Sequence, residues 1–284
     1  MRWRTRKLAR ISNATSRAVR GSADAIVNRA ARCRAVTLLA IIGGSSLSQL
    51  TGLEAVRRVE INTPYGAPSG ALVHGRLNQR NVVFLARHGE QHHLPPHNIN
   101  YRANLWALRA QQVTHIVAVA TVGGIGVAFV PGVVAVPDQI IDYTWGRAAT
   151  YFEGDDGVVK HIDFTQPYDA LLQARVLRAA QRIGQAVHAG GTYAATQGPR
   201  LETAAEIRRL KRDGADMVGM TGMPEAALAR ELGLPYAALA LVVNAAAGTG
   251  ASAQAIDLPA AEALARTAMA RVVRILEEVV SDGG

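Results

Sequence analysis

Five short stretches carry the residue types that could do chemistry. Gly43-Gly44-Ser45-Ser46 follows an apolar run, and glycines there let backbone amides and a hydroxyl approach an anion. The spacing matches neither a GxxxxGK[ST] phosphate loop nor a GxGxxG dinucleotide fingerprint. Arg87-His88-Gly89 comes directly after Phe84-Leu85-Ala86; the planar Arg fork suits two anion oxygens at once, with His88 as a further donor. Thr221 precedes Gly222-Met223-Pro224-Glu225, so its hydroxyl stands at a helix start, where anions also bind. Glu202 lies in a turn before a helix, and Asn244 ends a very apolar strand; a carboxylate and an amide together can read one edge of a purine. Each stretch also has an ordinary reading: a turn, a strand-end Arg, an N-cap Thr, an N-terminal helix charge. His92, His93 and His97 could suggest a metal, but Pro95 and Pro96 prevent a ligand-bearing helix there, and no metal is expected.

The elements that must position these residues form a repeating pattern. Apolar strands alternate with amphipathic helices from Val36 to the C-terminal helix, which predicts an α/β fold with a mixed, mainly parallel central sheet flanked by helices. Ligands in such sheets bind beyond the carboxyl ends of the strands. Those ends read GGSS, ARHG, ATVGG, TQGPRLET, GMTGMPE and VVNAAAG, so a single site is expected there. PGVVAVPDQIIDYTWG is read as a further strand pair.

The 284-residue chain is almost half hydrophobic, enough for a sizeable core. Its net charge of +9 is local: residues 1–34 hold ten of the 31 Lys and Arg but one of the 22 Asp and Glu, leaving 21 of each sign in the rest. The basicity therefore belongs to an N-terminal arm, expected to be a solvated, disordered extension, and residues 35–284 to one neutral domain; transit peptides share the arm's composition. A whole-domain nucleic-acid face is not expected. No apolar run reaches the roughly 18–20 residues of a membrane span. The single Cys33 allows no intrachain disulfide and no Cys-based metal site, and a cytoplasmic setting is expected.

In order and spacing, AIIGGSSL, TPYGAPS, FLARHG, NYRANLWAL, ATVGGI, DQIIDYT, TQGPRLET, DMVGMTGMPEAALARE and VVN resemble the trimeric purine nucleoside phosphorylase and methylthioadenosine phosphorylase family, from about Ala40 to Asn244. The resemblance implies that Ser45, Arg87, His88, the Thr121 backbone and Thr221 hold phosphate. It implies that Met220 packs under the ribose, that Thr196 lies near the site, and that Glu202 and Asn244 bind the base. Leu258 would border a pocket for the 5′ group. His161 would reach the 5′ group of a neighbouring subunit, implying a homo-oligomer, a trimer or two stacked trimers. Phosphate is then a substrate, and no metal or organic cofactor is required.

The resemblance also sharpens the choice of base. Adenine-cleaving relatives have Asp at the end of this strand and again two residues on; here the positions are Asn244 and Ala246. An Asn amide can donate to a carbonyl O6 and to N7, and Glu202 can accept the N1 proton that only a 6-oxopurine carries. The implied reaction is phosphorolysis of a 6-oxopurine nucleoside, with a 5′-methylthio nucleoside first and inosine or guanosine as the alternative. A nucleic-acid-binding protein using the basic arm is a different class, as is a nucleoside binder without catalysis. The latter is raised by Ser46, which stands where the family usually has Gly and would be strained if the position needs positive φ.

Overall fold

The computed structural model describes residues 37–47, 49–154 and 159–282; the basic arm and Cys33 lie outside the described residues. Its described strands are β1 (Leu39–Gly43), β2 (Glu54–Val59), β3 (Leu72–Leu77), β4 (Arg80–Ala86), β5 (His115–Gly124), β6 (Val134–Val136), β7 (Gln139–Asp142), β8 (His188–Ala189), β9 (Thr192–Ala195), β10 (Met217–Gly219) and β11 (Tyr236–Ala245). The α-helices are α1 (Tyr101–Ala110), α2 (Ala170–Arg182), α3 (Ala204–Arg212), α4 (Gly222–Glu231) and α5 (Leu258–Ser281). One mixed sheet runs β2-β3-β4-β1-β5-β10-β9-β7, with β11 also on β5 and β6 bridging β11 to β8. The β4-β1-β5-β11 pairs are parallel, as are β7-β9-β10, while β2-β3-β4 is an antiparallel meander at one edge. The chain thus has the expected α/β architecture.

The central strands read as unbroken apolar runs because both of their faces are buried. Ala40, Ile42, Ile116, Ala118, Ala238 and Ala240 face a core completed by α1 and α4. Leu39, Ile41, Val117, Val119, Leu239 and Leu241 face the opposite core, completed by α2 and α5. A smaller cluster seats α3 through Ile207 and Leu210 against Ala194 and Val218. Helix boundaries follow side-chain chemistry. Asn100, Asp169, Thr203 and Asp257 each accept a bond from a first-turn amide, and Thr203 forms a reciprocal capping box with Glu206. The segment expected to be a strand pair does give β6 and β7, but the two do not pair with each other; β6 joins β11 and β8, and β7 joins β9.

At the sheet end remote from the candidate site, His115 is buried beside Arg175, its Nε2 2.9 Å from Arg175 Nη1 and its Nδ1 2.8 Å from Thr114 Oγ1. Burial, then the Arg175 charge, lowers its pKa from 6.5 to about 4. The native state therefore takes up this proton later than the unfolded chain does. Stability from the neutral ring is complete above pH 6.5 and is lost as pH falls toward 4. Lowering the pH from 7 to 5 should cost on the order of 2 kcal/mol through this group. Urea titrations at both pH values check it: His115→Gln should shrink the pH dependence, and an undiminished dependence would refute the assignment.

Candidate active site

All six strand-end stretches open on one cavity of about 490 Å³. Gly44, Ser45 and Ser46 line it after β1, Arg87 and His88 after β4, and Thr121 to Gly123 within β5. Glu202 comes from the segment before α3, Gly219 to Thr221 from the end of β10, and Asn244 and Ala246 from the end of β11. Ile256, Leu258, Ala261 and Ala265 form an apolar wall at the start of α5.

One end of the cavity is built around Arg87, whose side chain is 1% exposed. Its Nε and Nη2 donate to Glu225 Oε2 and Oε1 at 2.6 and 2.8 Å, and its Nη1 donates to the Val119 carbonyl at 2.9 Å. Tyr236 Oη adds a bond to Glu225 Oε1 at 2.8 Å. Burial opposes the charge, but Glu225 more than offsets it and holds the guanidinium above its usual range. The fork expected to grip an anion is therefore occupied on its Nε edge. Of five guanidinium donors, one on each Nη is left for the cavity.

His88 also differs from expectation. Its Nδ1 lies 2.8 Å from the Leu94 carbonyl, which can only accept, so Nδ1 carries the proton. Burial, with Arg87 beside it, lowers its pKa to about 4, so the ring is neutral near pH 7. Nε2 is then an acceptor rather than the donor the sequence suggested. It can meet the hydroxyl of monohydrogen phosphate, while donors to the anion must come from elsewhere.

Thr221 is 6% exposed and makes no side-chain capping bond. The helix after it does not start regularly: Met223 has φ −119° and ψ 142°, so the amides at 222–223 are not the ordered array of a helix N-terminus. Ser46 is not among the described non-glycine residues with positive φ, so the strain anticipated for it does not arise. It adds a second hydroxyl beside Ser45. Gly44 is the glycine with no room: a Cβ there would lie 2.6 Å from the Val119 carbonyl and 3.4 Å from Arg87 Nη1.

At the opposite end, a bulge between Val242 and Asn244 shifts the β11–β5 register, so that Asn244 pairs with Gly123. A Cβ on Gly123 would meet Asn244 Nδ2 at 3.4 Å and Val218 Cγ1 at 3.3 Å. Asn244 Nδ2 donates one hydrogen to the Ala245 carbonyl at 2.7 Å, leaving one N–H and the side-chain oxygen for a ligand. Glu202 Oε1 accepts from Thr196 Oγ1 at 2.6 Å. Thr196 thus orients Glu202 without lining the cavity itself, while Met220 does line it. Leu258 is 54% exposed, and His161 is exposed and lies outside this cavity. Among the described residues no group of His, Cys, Asp and Glu is placed to hold a metal, and no helix is long and apolar enough to cross a membrane.

Two residues central to this geometry escape a sequence reading. Glu225 is the lone acid in the apolar stretch MPEAALA, and its need for a buried cation was the available signal. Arg147, in the loop after β7, donates mainly to backbone carbonyls, which leave no mark on residue type.

With the geometry in view, comparison with known proteins is direct. Residues 38–280 match the model of the phosphorylase superfamily, and the chain belongs to that family. It is 56% identical over 212 residues to the probable S-methyl-5′-thioinosine phosphorylase of Xanthomonas campestris, covering 75% of this chain and 85% of that one. It is 44% identical over 215 residues to the 6-oxopurine nucleoside phosphorylase of Pyrococcus furiosus, covering 74% and 80%. Among solved structures, methylthioadenosine phosphorylase from Schistosoma mansoni in complex with adenine superposes with a TM-score of 0.82 at 32% identity, over 86% of this chain and 91% of that one. The fold is therefore that of the nucleoside phosphorylases.

Glu225→Ala should cost about 3–5 kcal/mol of stability, because it leaves a buried guanidinium uncompensated. Urea unfolding measures this, and a cost below about 1 kcal/mol would show that the pair is not what holds Arg87.

Proposed function

We propose that this chain is a pentosyltransferase that cleaves a 6-oxopurine nucleoside with inorganic phosphate, S-methyl-5′-thioinosine being the preferred substrate. One observation carries the reading: Glu202, an acceptor, and the free N–H of Asn244 share one cavity with Arg87 and Met220. Acceptor and donor match the N1–H and O6 of a 6-oxopurine, and an adenine would set its 6-amino group and unprotonated N1 against the same groups with the wrong polarity. The names of the relatives at 56% and 44% identity support the same base class. The relative solved with adenine shares the fold at lower identity.

The geometry suits phosphorolysis. As the glycosidic bond breaks, the base gains negative charge and the sugar positive charge. The Asn244 N–H stabilises charge at O6, and its side-chain oxygen accepts N7–H once the leaving base has taken up a proton from water, a loss balanced by the proton that monohydrogen phosphate gives up as the sugar phosphate forms. Phosphate, held at the Arg87 end by the two remaining guanidinium donors with Ser45, Ser46 and Thr221 nearby, attacks the anomeric carbon from the opposite face. It forms the new C–O bond as the C–N bond breaks, giving the free base and a pentose 1-phosphate. Rate enhancement then comes from positioning and fixed dipoles, with no covalent enzyme intermediate. Neither a metal nor an organic cofactor has a part in these steps.

The apolar wall of Ile256, Leu258, Ala261 and Ala265 supports a methylthio group at the 5′ position. A second reading, inosine or guanosine phosphorolysis, draws on Glu262, which lines the same wall and could accept a 5′-hydroxyl. His161 would complete the 5′ pocket of a neighbouring copy in a trimer or a dimer of trimers, in the cytoplasm.

Turnover of methylthioinosine, inosine, guanosine and methylthioadenosine, each with and without phosphate, tests this reading. Base should be released only with phosphate, and 6-oxopurines should be favoured over adenine by roughly 5- to 150-fold for each of the two buried groups, Glu202 and Asn244, that adenine mispairs. Asn244→Asp should move preference toward methylthioadenosine. A wild-type preference for methylthioadenosine would overturn the assignment of the base.

A further inference from the structure

We propose that Arg147 is a positioning residue that ties the base-reading side of the cavity to its phosphate side; this rests on the phosphorolysis reading. Arg147 is half-buried in the loop that follows β7. Its Nη1 donates to the carbonyls of Met220 and Met223 at 2.8 and 2.6 Å. Its Nη2 donates to the carbonyls of Thr196 and Gln197 at 3.2 and 2.8 Å. Nε reaches Gln197 Oε1 at 3.2 Å, and Nη1 also reaches Tyr101 Oη at 3.2 Å. One guanidinium therefore gathers carbonyls from the segments after β9 and after β10, without a carboxylate among its hydrogen-bond partners.

These segments carry the functional groups. Thr196 orients Glu202, while Met220 and Thr221 line the cavity. Four carbonyl dipoles directed at one point repel one another unless a cation sits there, and each would otherwise need a separate partner. The planar fork serves several directions at once, which a lysine ammonium cannot do. The strap is itself fixed, because Gln197 Oε1 also accepts from the Trp145 amide at 3.1 Å, and Tyr101 Oη donates to the Pro96 carbonyl beside the cavity. Arg147 does not line the cavity. Its influence is thus indirect: it sets the spacing between the Glu202 support and the Met220–Thr221 segment, and so the distance between bound base and bound phosphate.

The test is steady-state kinetics of Arg147→Lys and Arg147→Met, varying nucleoside and phosphate separately, alongside circular dichroism and thermal melting. Arg147→Lys should keep the wild-type spectrum and yet lose roughly 10- to 100-fold in kcat, the effect of misplacing reacting groups by about an ångström, with KM raised for both substrates. Gln197→Ala, a milder cut of the same strap, should move kcat and both KM values the same way by a smaller factor, and it carries the test if the Arg147 variants fail to fold. Folded variants with wild-type kcat and KM would overturn the proposal, as would a KM change confined to one substrate. If the wild-type chain turns over none of the nucleosides, the phosphorolysis reading fails and takes this inference with it; an active wild type with unaffected variants defeats this inference alone.

Discussion

A positive charge in the wall of a cavity must be taken out of water, and the arrangement of this site follows from how that is done. Arg87 is fully enclosed, and Glu225 is its counter-charge from an element 138 residues further along the chain. Buried pairs of this kind rarely add stability compared with apolar residues of similar size, because desolvation consumes the Coulombic gain. The pair instead fixes the guanidinium in the cavity wall, with one N–H on each Nη left unengaged by these bonds. The Tyr236 hydroxyl fixes Glu225, and the Val119 carbonyl fixes Nη1, so β4, β5, α4 and β11 all meet at one group. Gly44 follows from the same constraint, since Arg87 and Val119 occupy the space a side chain would need.

The other end of the cavity depends on the two longest strands. β5 and β11 run parallel through the centre of the sheet, covered on both faces, and this rigidity lets a single bulge redirect a side chain. Without the register shift, Asn244 would follow the alternation of Val242. With it, the amide crosses Gly123 and faces the cavity. The Asn244 end is therefore set by backbone irregularity, whereas the Arg87 end is set by charge.

What could be read from the sequence divides along the same line. Strands with both faces buried write themselves as apolar runs, so β1, β5 and β11 and the polar residues at their ends were legible. β2 is exposed over most of its length and has no periodic pattern, and the edge meander it begins with β3 was not legible. Residue types identified the strand-end groups but not how their valences are used. Arg87 reads as a free fork until Glu225 is seen against it, and His88 as a donor to the cavity until its Nδ1–H is seen donating to the Leu94 carbonyl. Arg147 left no sequence trace because its principal partners are main-chain carbonyls.

A hydrogen-bonding edge and an apolar wall differ in how sharply they can discriminate. A site that hydrogen-bonds a ligand edge rejects a mismatched edge strongly, because buried groups are then left unpaired. An apolar pocket rejects an added hydroxyl only weakly, about a hundredfold at most. In the function proposed for this chain, Glu202 and Asn244 give the site its firm preference for the base, and the wall formed by Leu258 and its neighbours gives a softer one for the 5′ substituent. In that proposal, Glu262 on the same wall softens it further by offering an acceptor to a hydroxyl. In the reading proposed for this chain, activity on 5′-hydroxy nucleosides of the right base follows from the physics of the pocket, and strictness toward the base does not depend on the 5′ group at all.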